Sequence, residues 1–119
     1  MFFILLNLPL QEMYMIKKYN KLVRDRIPEI IEASGDQCKI KILADNEYLA
    51  MLDTKLNEEI AEYQQDKNLE ELADVLEVIR AITVARVHSW EELEAIRVKK
   101  EQKRGAFEKK IFLIETIKK

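Results

Sequence analysis

Apolar positions along the chain recur at two periods, and the switches between them mark the elements. Leu49, Leu52, Leu56, Ile60 and Tyr63 repeat every three or four residues, which is one face of an α-helix. The pattern pauses at "QQDKN" and resumes with Leu72, Val75, Leu76, Ile79 and Ile82. It restarts at "HSWEEL" and runs to Arg104, where Gly105 stops it. Asp45, Asn68 and Ser89 precede these three runs and suit the N-cap, with Glu71 and Glu92 at the third helical position of capping boxes. Nearer the N-terminus, "RDRIPEIIEASG" reads as a short helix capped by Asp25, with Pro28 in its first turn and Gly35 at its end. Two stretches break the helical period: "CKIKILA" alternates and is β-branched, and "FEKKIFLIETI" follows Gly105. Both read as short strands that can pair with each other. The expected fold is mainly α, an antiparallel helical bundle with two short accessory strands.

Composition narrows this further. A chain of 119 residues with two Gly, two Pro and 35% charged residues suits one helical domain with a modest core. Its net charge of −2 argues against a general nucleic-acid binder. One cysteine, Cys38, and one histidine, His88, exclude an internal disulfide and any Cys- or His-built metal site, and they fit a reducing cytoplasm. The apolar start "MFFILLNLPL" is shorter than the ~20 residues of a membrane span and lacks a signal peptide's basic region. Residues 1–15 therefore read as an upstream extension, with an extra strand as the structural alternative, and 16–119 as the domain.

Charge is distributed unevenly. Residues 56–79 hold eight carboxylates and one lysine, Lys67. Glu59 and Glu62 form one pair three residues apart, and Glu71 and Asp74 form another, so each pair shares a helix face. A short connection makes the two helices antiparallel neighbours. If the turn is centred between positions 66 and 67, Glu62 lies level with Glu71 and Glu59 with Asp74. Four carboxylates in one quadrilateral repel unless a cation sits among them. An all-oxygen set without His or Cys selects Mg²⁺, with Mn²⁺ possible. Spacing alone leaves metal binding and a solvated face evenly balanced. Asp66 reads as a solvated turn residue. Glu77, one turn beyond Asp74, reads as a surface acid that a second ion or a water could reach.

Arg97, Lys100 and Arg104 share a stripe, with Lys99 and Lys103 beside it, and Lys21, Arg24 and Arg26 lie near the N-terminus. Such runs are either solvated or clamp phosphate oxygens. Acidic metal ligands together with basic phosphate donors suit a polyphosphate ester. His88, Trp90, Cys38 and Met51 read as structural residues.

"EEIAEY…EELADVLEVI" resembles the metal-binding core of the all-α nucleotide pyrophosphohydrolases, the MazG-like and phosphoribosyl-ATP pyrophosphohydrolase-like group. "YNKLVRDRIPEII" and "KKEQKRGAFEKKIFLIE" are similar to a small single-domain branch of it, so the resemblance covers roughly residues 16 to 116. It implies the bundle type of that group, Mg²⁺ held by Glu59, Glu62, Glu71 and Asp74, and hydrolysis of a nucleoside triphosphate to the monophosphate and pyrophosphate. It also implies a dimer or tetramer. Glu59 or Glu62 would be the general base, and Lys100, Lys103 and Arg104 would steady the phosphates. The positions of Lys21 and Arg24 match the group's pattern. "RGAF" stands where "RGGF" is expected, a small departure unless Ala106 must take a positive φ. The alternatives are phosphoribosyl-ATP as substrate, or a helical oligomerisation or adaptor module without catalysis.

Overall fold

The computed structural model describes residues 2–4 and 14–119, with side chains from Met15 onward. The protein is mainly helical. A short hairpin comes first: β1, Phe2–Ile4, pairs antiparallel with β2, Tyr14–Ile16, in the register Phe2↔Ile16, Phe3↔Met15 and Ile4↔Tyr14. Four helices follow, α1 Ile27–Ala33, α2 Asp45–Asp66, α3 Leu69–Ala85 and α4 Trp90–Arg104. Among the described residues no helix is long and apolar enough to cross a membrane. The chain divides into two compact units, residues 1–58 and 59–119.

In the first unit, α1 starts one residue later than expected. Arg26, not Asp25, is its N-cap, and no side chain caps it; Pro28 supplies the preset φ of the first turn instead. Arg26 reaches forward to Glu29 in an exposed ion pair. Ser34 Oγ donates to the Ile31 carbonyl at 2.6 Å, and Gly35 turns the chain away at φ 101°. Asp45 is already the first residue of α2 rather than its cap, and the Tyr48 N–H bonds the Ala44 carbonyl at 2.8 Å. Leu52, 2% exposed, is the most buried apolar residue among the described residues of this unit, with Leu49, Met51 and Leu56 half-buried on the same helix.

In the second unit α3 packs against α4. The inward face of α3 is not the expected one. Val78 is buried and Val75, Ile79 and Ile82 are half-buried, whereas Leu72 and Leu76 are exposed. The apolar series in α3 is wide enough to allow either rotation, and the structure turns the helix so that positions 71, 74, 75, 78 and 82 face inward.

The loop from α3 to α4 is well specified. The Val87 N–H bonds the Val84 carbonyl and the His88 N–H bonds that of Thr83, the two bonds of a Schellman ending, with Val87 at φ 65°. Ser89 and Glu92 then form the complete capping box expected of them, and His88 Nδ1 lies 3.2 Å from Glu92 Oε2. These bonds, the His88 contact foremost, hold the Glu92 carboxyl below its ordinary pKa.

The two accessory strands do not form. Residues 36–43 and 111–119 belong to no helix or strand and have no backbone hydrogen bonds among the described residues. A strand is stable only with a partner for its backbone, which β-propensity alone does not supply.

Candidate metal centre

The centre is built on the hairpin of α2 and α3. Lys67 adopts φ 55° and its N–H caps α2 by bonding the Tyr63 carbonyl at 2.7 Å. Its ammonium stays over the Tyr63 ring and bonds the Gln64 side chain. Asn68 is the N-cap of α3, as expected, accepting from the Glu71 N–H at 2.9 Å. The link is therefore Lys67–Asn68, centred one residue further on than assumed, and the long Glu side chains absorb the offset.

Only half of the expected capping box exists here. The Asn68 side chain caps, but the Glu71 side chain does not return the bond to the Asn68 backbone. Glu71 instead turns inward. One oxygen, each, from Glu59, Glu62, Glu71 and Asp74 lies within 4.8 Å of the others, so the structure brings all four proposed ligands together. Glu59 is only 7% exposed, while the apolar Ile60 beside it is 40% exposed, so α2 buries a carboxylate in preference to an isoleucine. Glu71 and Asp74 are half-buried, and Glu62 lies at the exposed rim.

This is a costly arrangement for carboxylates alone. Glu71 Oε2 is buried and accepts no hydrogen bond. Burial first, and then the charges of Asp66, Asp74 and Glu59, push the Glu71 carboxyl above its ordinary pKa, against a hydrogen bond with Glu62 that lowers it. Asp66 is exposed at the end of α2, as its reading as a solvated residue expects, yet its charge is felt at Glu71. The spacing Glu59, Glu62, Asp66 carries that signal, because each step returns to the same helix face. Glu77 is exposed and outside the group of four, and Glu58 is paired with the half-buried Lys55 at 3.5 Å.

The oxygens fit a hard divalent ion. Mg–O bonds of about 2.1 Å put opposite ligands of an octahedron about 4.2 Å apart. A group already within 4.8 Å closes onto such an ion by small side-chain rotations.

The basic candidates stand differently. Lys100, Lys103 and Arg104 are exposed on α4 and make no ion pair among the described residues. Lys103 and Arg104 occupy the last turn of α4, where they also complement its dipole. Arg97 is engaged, bonded to Glu94 at 2.6 Å and to Glu101 at 2.8 Å, which keeps it firmly protonated and withdraws it from the stripe. In the first unit Lys21 and Lys17 stand over the Tyr19 ring, and the Arg24 carbonyl accepts the first bond of the turn into α1. Gly105 takes φ 83°, whereas Ala106 is not among the residues of positive φ, so alanine serves there without strain.

No protein-family model and no solved structure matches the chain. A protein of Mycolicibacterium smegmatis, described only as uncharacterized, is 62% identical over 42 residues, 35% of this chain and 43% of that protein. The match thus spans less than half the length of that relative.

Proposed function

We propose that the protein is a magnesium-dependent nucleoside triphosphate pyrophosphohydrolase of the MazG-like kind, releasing a nucleoside monophosphate and pyrophosphate. One observation carries this reading: one oxygen from each of Glu59, Glu62, Glu71 and Asp74 lies within 4.8 Å of the others, with Glu59 buried, Glu71 and Asp74 half-buried and Glu62 at the rim, where a purely structural surface would spread such acids into solvent. Glu59, Glu62, Glu71 and Asp74 would hold Mg²⁺. When bound, the ion supplies charge neutralisation at phosphate oxygens and acidifies water.

The chain's own groups do the rest. Glu62, at the open rim, accepts a proton from the attacking water, while the buried Glu59 fixes the position of the site. Glu71, whose proton affinity is raised by burial and by its acidic neighbours, would offer a deprotonated oxygen to the ion. Lys100, Lys103 and Arg104, which make no ion pair among the described residues, donate to the outgoing pyrophosphate. The protein acts in the cytoplasm, with its thiol Cys38 reduced, and as a homo-oligomer, because apolar residues such as Leu69, Leu76 and Val84 are too exposed for an isolated chain.

The test is pyrophosphate release from a panel of nucleoside triphosphates and phosphoribosyl-ATP, with and without Mg²⁺, for wild type and Glu62→Gln. Exposure of Glu62 makes this substitution compatible with folding. Release that needs Mg²⁺ and falls at least a hundredfold in the variant supports the proposal. Hydrolysis confined to phosphoribosyl-ATP favours the biosynthetic relative, and no release from any substrate leaves an adaptor module.

A further inference from the structure

An open trough of about 670 Å³ runs along one side of α4 and is lined by that helix alone. The volume falls within the roughly 300–1,000 Å³ of small-molecule sites. It shares no residue with the metal centre. Trp90, Glu94, Val98 and Gln102 follow one another down its length at helical spacing, with Glu91 and Lys99 beside them. The lining has a direction. At the start of α4 stand the half-buried Trp90 and the acids Glu91 and Glu94. Val98 lies midway, and Lys99 begins a basic stretch that continues through Lys100, Lys103 and Arg104. The complementary ligand has a flat end that stacks and donates hydrogen bonds, and an anionic end. A nucleotide carries these two parts in that order.

We propose that the trough takes the nucleoside end of the substrate, with Trp90 stacking on the base, Glu91 reading its edge and Lys99 on the phosphate side. The inference rests on the proposed function for the ligand being a nucleotide, and it adds the class of base. Glu94 is already bonded to Arg97 at 2.6 Å, whereas Glu91 makes no hydrogen bond or ion pair among the described residues. An ionised carboxylate only accepts. Adenine, cytosine and guanine offer it an exocyclic amino group. Uracil and thymine offer a single ring N–H between two carbonyl oxygens, which the carboxylate repels. The trough therefore selects bases that carry an amino group.

Trp90 is the one tryptophan of the chain, so its fluorescence reports on this site alone. The full chain, without Mg²⁺, is titrated with the monophosphates of adenosine, cytidine, guanosine, uridine and thymidine. The first three should quench Trp90 and bind about tenfold tighter than the last two. Glu91 is exposed, so Glu91→Gln is compatible with folding. Its amide donates as well as accepts, and the five affinities should come within about twofold of one another. Trp90→Leu, followed by calorimetry with adenosine monophosphate, should bind about fivefold more weakly or worse. Equal binding of all five by the wild type overturns the proposal, and so does a base preference that survives Glu91→Gln. Absence of quenching by every nucleotide also overturns it, whatever the pyrophosphate assay shows. Base-selective quenching in a protein that releases no pyrophosphate upholds the trough and refutes the catalytic reading alone.

Discussion

Glu71→Gln inverts two stabilities at once. Without metal, Glu71 is the carboxylate whose proton affinity is raised by burial and by Asp66, Asp74 and Glu59. Glutamine keeps the shape, removes one charge from the group and supplies an amide that donates to its carboxylate neighbours. The metal-free variant should therefore melt above the metal-free wild type. With Mg²⁺ the order reverses. The four oxygens need to contract from 4.8 Å to about 4.2 Å, a side-chain adjustment without backbone cost, so binding should appear almost wholly as stabilisation. At a hundredfold excess over Kd, mass action contributes about 2.7 kcal/mol. For a chain of this size that is a rise of roughly 10 °C in Tm. In the variant, which lacks one ligand, the rise should largely vanish. The assay is thermal unfolding with and without MgCl₂, with NaCl at matched ionic strength to remove screening. Equal Mg²⁺ shifts in both proteins, or a lower Tm for the metal-free variant, would refute the reasoning that these acids are mutually repulsive and jointly bind one ion.

The raised pKa of Glu71 fixes the sign of a pH effect: its stabilising contribution is complete below the unfolded value, about 4.5, and is lost as pH rises through the folded one. The metal-free protein should lose stability across that window in urea titrations, while Mg²⁺ affinity, which requires the deprotonated form, should increase. Val87, at φ 65° and 89% exposed, has no packing to lose; Val87→Gly relieves about 1–2 kcal/mol of left-handed strain against about 0.5–1 kcal/mol of added chain entropy. A higher urea midpoint, corresponding to about 1 kcal/mol of added stability, is expected, and a lower one would show that the valine is favourable there. Ser89→Ala removes the acceptor for the Glu92 N–H and should cost about 1 kcal/mol by the same measurement.

What was legible in the sequence, and what was not, divides along a physical line. Caps are largely local, and Asn68, Ser89, Glu92 and Gly105 do what their order along the chain implies, whereas Asp25 and Asp45 miss the cap position by one residue. Strands are not local: "CKIKILA" and "FEKKIFLIETI" carry the pattern but not the partner, so propensity overstated them. Helix rotation lies between the two. α3 offers apolar residues around much of its circumference, and periodicity nominated Leu72 and Leu76 for the core where the structure buries Val78. That choice decides the site. With Leu72 and Leu76 inward, Glu71 and Asp74 would flank the core at a solvated edge and could spread apart. With Val78 inward, the same face runs through Val75 and Asp74 to Glu71, and the acids are driven against Glu59 of α2. Within the single chain, a helix that leaves Leu72 44% and Leu76 51% exposed while enclosing two carboxylates forgoes part of an apolar burial worth about 1.5–3 kcal/mol per fully buried side chain. An ion bound among the carboxylates, as proposed, would offset such a loss.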